Sequence, residues 1–172
     1  MRRCALPFVK TILALLFLAV AAQANVVRLA PEVTYYGPGS KTYTLRNLRG
    51  QPVVIVVADS VKTKNLRKQM SYLREIYQDF ASRKTVFIAA IKDGSGPIPS
   101  NVPFALATNP GAVAAAYGVT SDFSLIIIGK DGNVDYQTPL PRTAQRIRDV
   151  IGNSFEVQEA SRRLPKGSIP TE

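Results

Sequence analysis

Two uninterrupted apolar runs, separated by an amphipathic stretch, restrict this chain to a small set of folds. Val53–Ala58 and Thr85–Ile91 lack the alternation of polar and apolar residues that marks a half-exposed strand. Each is therefore predicted to be a strand that is covered on both faces of its sheet. Helical spacing in the stretch between them predicts a helix over 64–82, with an apolar stripe of Leu66, Met70, Leu73, Tyr77 and Phe80. Together they predict a right-handed βαβ unit with parallel strands.

The second half of the chain predicts a short helix, a β-hairpin and a last helix. Asn109 and Pro110 are typical of a helix start, and Gly118 is typical of the residue after a helix end. Asp131-Gly132 is a frequent hairpin turn. The predicted elements are helices at Gly111–Tyr117 and Thr143–Ile151 and strands at Phe123–Ile128 and Val134–Gln137. The order of elements predicts a three-layer α/β fold with a central mixed β-sheet flanked by helices.

Shorter extended pieces are predicted on either side of the βαβ unit. Val33–Tyr36 is expected to form a short edge strand, and Thr42–Leu45 a second extended piece. A brief strand is expected within Val102–Ala107, after a loop rich in Gly, Pro and Ser.

The N-terminus is typical of a secretory leader. Three basic residues, Arg2, Arg3 and Lys10, precede an apolar run of about a dozen residues, whereas a membrane-spanning helix needs roughly 20. Ala22-Gln23-Ala24 is a small-x-small cleavage site, so we expect residues 1–24 to be a signal peptide and the protein to be periplasmic or extracellular. Cys4 precedes the apolar run, which argues against a lipid-modified cysteine.

The remaining chain is divided by composition into three parts. Residues 25–41 are expected to form an irregular N-terminal segment, because this stretch contains several Pro and Gly residues. Residues 42–152 are expected to form the folded domain. Residues 153–172 are expected to form a polar, loosely held tail that could be helical in its first half.

Missing residue types exclude several chemistries. The sequence has no histidine and only one cysteine, Cys4, which lies in the expected leader. Disulfides, the usual transition-metal sites and Ser-His-Asp or Cys-His nucleophiles are therefore excluded in the mature chain, and no cofactor or metal is expected.

Lys and Arg outnumber Asp and Glu, 22 to 12. This excess favours weak association with anionic surfaces. The expected partner is an envelope protein or an anionic ligand. No motif for nucleic acid is present, and no transmembrane segment is expected after cleavage.

Several segments, taken in order, resemble the thioredoxin-like superfamily, in particular the redoxin branch of thiol-specific antioxidant proteins and exported thiol reductases. The resembling segments are Thr42–Val54, Arg67–Met70, Asn109–Val113, Ala116–Val119 and Leu125–Gly132. The resemblance covers about residues 40–152. It implies a thioredoxin-like fold and, in intact members, a redox site at the start of the first long helix.

The two hallmarks of that redox site are missing. Alignment on Arg67–Met70 places the family's dithiol on Thr63–Leu66, and no cysteine is nearby. The family also tends to have a cis-proline before the third strand, where this chain has Thr120–Ser124. A cis bond without proline costs about 2.5–4 kcal/mol. The chain is thus identified as a degenerate member, to which the family's activity does not transfer.

The same corner contains a candidate anion site. Hydroxyl, amide and basic side chains surround the predicted helix start, where backbone N–H groups favour an anion. The candidate residues are Ser60, Lys62, Thr63, Lys64, Asn65, Arg67 and Lys68. The alternative is a solvated basic turn with an ordinary Ser or Thr cap.

Three other groups have plain structural explanations. Asp122 and Asp131 could form a carboxylate pair, but a hairpin turn explains Asp131 better. Three tyrosines near the N-terminus, Tyr35, Tyr36 and Tyr43, could form a binding patch or simply pack on edge strands. Five arginines, Arg142, Arg146, Arg148, Arg162 and Arg163, could bind anionic polymers or form a solvated helix face.

Three functions remain open on these observations. The first is an exported, non-catalytic thioredoxin-like module that binds a protein partner or an anionic ligand. The alternatives are a redoxin-family enzyme that acts without cysteine, and a structural component of the envelope.

Overall fold

A seven-stranded mixed sheet with helices on both faces forms the molecule, in the strand order β2-β1-β5-β4-β3-β6-β7. The computed structural model describes residues 28–81, 84–94, 97–98 and 100–163. The strands are β1 (Thr34–Tyr36), β2 (Thr42–Thr44), β3 (Val53–Ala58), β4 (Val86–Ile91), β5 (Phe104–Ala107), β6 (Phe123–Ile128) and β7 (Val134–Thr138). The α-helices are α1 (Lys64–Ala81), α2 (Pro110–Ala116) and α3 (Ala144–Arg163). The predicted three-layer α/β fold is confirmed.

Strand β3 is the centre of the sheet. It pairs in parallel with β4, from Val53 opposite Val86 to Ala58 opposite Ile91, and antiparallel with β6 on its other side. All six residues of β3 are buried. The predicted βαβ unit is confirmed. Its strands are apolar without interruption because both faces of the sheet are covered.

The core has two halves, one on each face of the sheet. Val54 and Val56 face the side of α1 and α3, where Leu66 and Ile147 pack. Val53, Ile55 and Val57 face the side of α2. Successive residues of a strand point to opposite faces, so one run of β-branched residues supplies both halves.

The predicted edge strand at Val33–Tyr36 is a strand, but its edge position was wrong. β1 lies between β2 and β5, and β2 is the outer strand. The chain reverses after β1 in a turn where Gly37 N donates to Lys41 O (2.8 Å), and β2 then pairs antiparallel with β1. Tyr35 stacks on Tyr43 across this pair, with ring centroids 6.0 Å apart. This stack stabilises the pairing of β2 with β1.

The last helix is longer than the predicted Thr143–Ile151, because α3 continues to Arg163. The helix continues through Gly152 and Asn153, residue types typical of a helix end, and into residues 153–163, in agreement with the expectation of a helical first half of the tail. The expected leader and the last nine residues, 164–172, lie outside the described part of the chain. No helix within the described part is long and apolar enough to cross a bilayer.

Candidate anion-binding corner

The corner lies where β3 ends and α1 begins. Ser60 and Thr63 hold each other in a turn: Thr63 N donates to Ser60 O (3.1 Å), and Ser60 N donates to Thr63 Oγ1 (3.3 Å). Lys62 N donates to Ser60 Oγ (3.1 Å). Ser and Thr favour such local bonds to the backbone, which fix a turn before a helix. The two hydroxyls are therefore acceptors within the turn, and each keeps a proton to donate.

The first turn of α1 has N–H groups without an acceptor among the described residues. Arg67 N donates to Thr63 O (3.1 Å), whereas the N–H groups of Lys64, Asn65 and Leu66 have no acceptor within the described residues. Such groups at a helix start carry partial positive charge. No acidic residue lies in this turn.

Four basic side chains of the candidate set surround this helix start. Lys62, Lys64, Arg67 and Lys68 are all exposed. Lys68 Nζ lies 6.0 Å from the centroid of the Tyr72 ring, so its stem follows the helix surface. Exposed cations at a helix N-terminus oppose the helix dipole by a few tenths of a kcal/mol each.

Acidic residues at the neighbouring strand ends reduce the positive charge only in part. Asp59 follows β3, and its Oδ1 forms an ion pair with Lys92 Nζ at 2.7 Å. Asp59 N also donates to Asp122 O (3.0 Å), which ties the segment before β6 to this corner. The corner therefore keeps a net positive charge.

The positions that align with a dithiol contain no reactive group. Thr63 immediately precedes α1, and Leu66 is fully buried in the core between α1 and the sheet. The segment that aligns with the cis-proline is bonded internally, since Ser121 Oγ donates to Phe123 O at 2.6 Å. No peptide bond among the described residues is cis. A hydroxyl and an apolar side chain at this corner supply no thiolate for disulfide exchange.

The two carboxylates considered as a pair lie far apart. Asp122 precedes Phe123, the first residue of β6, and Asp131 follows the last residue, Ile128. A six-residue strand separates them by roughly 20 Å. Asp131 stabilises the hairpin turn, where its Oδ1 accepts from Asn133 N at 3.0 Å.

The tyrosines and arginines considered as candidate groups lie outside this corner. Tyr35 and Tyr43 pack on the α2 side, but Tyr36 is 47% exposed on the other face. Arg142 and Arg146 both lie over the ring of Tyr136, at 6.0 and 5.4 Å from its centroid. The side chains of Arg162 and Arg163 are not among those that the structure describes.

One group of polar residues was missed by the sequence analysis. Asp131, Asp135 and Ser154 converge on Gly129, between β7 and α3. Burial raises the pKa of the Asp135 carboxyl, the hydrogen bond from Ser154 lowers it, and Asp131 raises it. These residues are spread over 26 positions of sequence with no common motif, so only the Asp-Gly turn gave a signal.

Solved structures with this arrangement of strands and helices include thiol–disulfide proteins and peroxiredoxins. A thiol:disulfide interchange protein of the thioredoxin family from Chlorobium tepidum has a TM-score of 0.60 at 15% identity, covering 78% of this chain and 99% of its own. The reduced 2-Cys peroxiredoxin of Plasmodium vivax has a TM-score of 0.58 at 15% identity, covering 80% and 98%. The exposed lipoprotein thioredoxin Etrx1 of Streptococcus pneumoniae has a TM-score of 0.55 at 16% identity, covering 72% and 99%. The fold is therefore thioredoxin-like.

Sequence comparison identifies a family rather than an activity. No curated protein matches the chain in sequence. A family model described as "Domain of unknown function (DUF4174)" matches residues 46–155, which is most of the sheet and its helices. The chain belongs to this DUF4174 family, as a thioredoxin-like member whose only cysteine is Cys4.

Proposed function

We propose that the protein is an exported, non-catalytic binding module that holds an anionic group at the corner between β3 and α1. The anionic group belongs to a small ligand or to an acidic side chain of a partner protein in the envelope. The thioredoxin-like fold supports a redox-type or a binding module in general. The observation that favours binding is the content of the corner: Thr63 and Leu66 stand at the dithiol positions, beside open N–H groups and exposed cations.

The physical basis of binding is the sum of several weak attractions. Three open N–H groups of α1 point toward the helix start, and an anion there is favoured by the helix dipole. Lys62 and Lys64 add charge without requiring burial, since both are exposed. The proton of Thr63 Oγ1 is available because that oxygen only accepts from Ser60 N within the turn.

Thermal unfolding in different salts tests the anion site. At matched ionic strength, phosphate and sulfate are expected to raise the Tm more than chloride does, because an anion bound only to the folded state stabilises it. A Lys62→Ala/Lys64→Ala variant should lose that gain. A Lys41→Ala/Arg49→Ala variant removes two exposed cations outside the corner and should keep it. Equal Tm values in all three salts would exclude the anion site.

Enzyme assays distinguish this proposal from an enzyme that acts without cysteine. We expect reduction of insulin disulfides and of peroxide to stay at the level of a heat-inactivated control. Activity above that control would overturn the non-catalytic assignment.

Mass analysis of the protein recovered after export tests the leader. The expected mature chain begins at Asn25. An intact N-terminus that still contains Cys4 would return a thiol to the protein and would remove the main argument against redox chemistry.

A further inference from the structure

A cleft of about 350 Å³ opens between β7 and α3. It lies at the opposite end of the sheet from the basic corner, because the β6–β7 turn follows Ile128, which pairs with the first residue of β3, Val53. Asp131 and Asp135 line one part of this β7–α3 cleft and Arg146 lines another, with Tyr136 and Val150 among the other walls. Its size is at the lower end of the range for small-molecule sites.

A β-bulge places Asp135 in the cleft. Ile127 of β6 pairs with Tyr136, but the next residue, Ile128, pairs with Val134, so Asp135 has no partner on β6. An extra residue of this kind bends the strand and redirects side chains, which lets Asp135 and Tyr136 line the same cleft.

Gly129 leaves space for the side chains in the acidic part of the cleft, because it has no side chain of its own. A Cβ atom at this position would lie 2.5 Å from Asp135 Oδ2, 2.6 Å from Ser154 Oγ and 2.8 Å from Asp131 Oδ1. Three oxygens therefore converge where every other residue type would place a carbon. Asp131 is also oriented from its other side, since Asn133 Nδ2 donates to Asp131 Oδ2 at 2.7 Å.

The acidic part of the cleft is paired with no cationic side chain that the structure describes. Within the described residues, the ion pairs are Arg46 with Glu32 and Lys92 with Asp59, and neither involves Asp131 or Asp135. Asp135 is partly withdrawn from water beside a second carboxylate, and burial raises its pKa. A cation bound between the two carboxylates would offset both the burial and the repulsion.

The basic part is held in place by an aromatic ring. The guanidinium of Arg146 lies 5.4 Å from the centroid of Tyr136, a distance at which a cation and a ring attract each other. Arg146 is in no ion pair with a described carboxylate. A guanidinium stacked in this way keeps its N–H edge for a carboxylate.

From this arrangement we propose that the β7–α3 cleft binds a small zwitterion, such as a free amino acid or a dipeptide. Its ammonium group lies between Asp131 and Asp135, its carboxylate contacts Arg146, and its apolar part packs on Tyr136 and Val150. The ammonium and the carboxylate of the ligand each have their own partner in the cleft, because Asp135 and Arg146 do not pair with each other. The site is independent of the basic corner and of the function proposed for it.

Amide NMR spectra of the purified full chain test the proposal, with free amino acids, diglycine and 6-aminohexanoate as zwitterions of increasing length. We expect saturable shifts of the Gly129, Gly132 and Asp135 signals with at least one of them. Loss of one charged contact should weaken binding about tenfold or more. The N-acetylated and the amidated form of that probe should show this loss, since each lacks one charge.

Variants place the two charges of the probe. Asp135→Asn and Arg146→Gln should each weaken the apparent affinity about tenfold or more. Arg74→Gln removes an exposed cation of α1 outside the cleft and should leave the affinity unchanged. Dispersed spectra of each variant confirm that it is folded.

Three results would overturn the proposal. One is the absence of saturable shifts with every zwitterion. Another is equal binding of the blocked forms. The third is a response of the same signals to calcium chloride that is tighter than any zwitterion response, which would assign the acidic part to a metal ion.

Discussion

Gln69 and Arg142 bind each other through two hydrogen bonds that join α1 to the segment before α3. Gln69 Nε2 donates to Arg142 O at 3.2 Å, and Arg142 N donates to Gln69 Oε1 at 2.8 Å. Gln69 is fully buried. Arg142 lies between the end of β7 and the start of α3. The side-chain amide of Gln69 takes the place of water as the hydrogen-bond partner of this backbone, and so fixes the position of α3 over the sheet.

Replacement of Gln69 should therefore destabilise the protein. Gln69→Leu keeps the approximate size but leaves the N–H and C=O of Arg142 without partners, so we expect a loss of about 1–3 kcal/mol in the free energy of unfolding. Urea unfolding measures it. Gln78→Leu, at an exposed position of the same helix, is the control and should change stability by less than about 0.5 kcal/mol. Similar small effects of both variants would contradict the structural role of the pair.

Two glycines near α3 should respond oppositely to alanine. Gly129→Ala places a carbon within 2.8 Å of three oxygens, and the displacement of Asp135 and Ser154 should cost about 1–3 kcal/mol. Gly152 lies inside α3 with nothing within 4 Å of a Cβ, so Gly152→Ala should gain about 0.5–1 kcal/mol. Thermal or urea unfolding of the two variants gives the sign of each effect. Stabilisation by Gly129→Ala would show that the three oxygens do not converge there.

The Asp135 carboxyl should make stability depend on pH. Its pKa is raised in the folded state by burial, so the folded protein holds this proton more tightly than the unfolded chain. Stability contributed by the protonated form is complete below the unfolded pKa of about 3.9 and is lost as the pH rises through the folded pKa.

Asp135→Asn removes this effect and should gain stability relative to the wild type as the pH rises from 3 toward 7. The measurement is the difference in unfolding free energy between the two proteins across that range. A difference that is constant, or that falls with rising pH, would contradict the raised pKa.

Tyr117 should govern stability in alkaline solution. Its hydroxyl is buried and donates to Pro31 O at 3.0 Å, and burial raises its pKa well above the ordinary value of 10.0. Above about pH 10 the unfolded chain loses this proton while the folded protein keeps it, so stability falls.

Tyr117→Phe should lose about 1 kcal/mol at neutral pH with the hydrogen bond, and its stability should fall less steeply above pH 10. Urea unfolding at pH 7 and at pH 10–11 measures both effects. Tyr36→Phe, at an exposed position, is the control. The same alkaline slope in Tyr117→Phe and in the wild type would exclude the buried hydroxyl as its source.

Most helices and strands could be predicted because their signals are local. Residue type and spacing alone predict burial of the run Val53–Ala58 and of the stripe that contains Leu66 and Leu73. The side chain of Asn109 accepts from Ala112 N at 3.0 Å, as its position before Pro110 predicted. The end of α3 was predicted too early at Ile151, since Gly152 and Asn153 are typical of a helix end and yet the helix continues through them to Arg163.

The sequence by itself determined the order of elements and the absence of thiol and imidazole chemistry from residues 28–163, because both depend only on which residues are present and how they are spaced. The tertiary structure alone decided that β2 lies outside β1, and that Asp135, Arg146 and Ser154 line one cleft. Contacts of this kind depend on a bulge, a crossing helix and the room left by Gly129, and none of these has a fixed spacing along the chain.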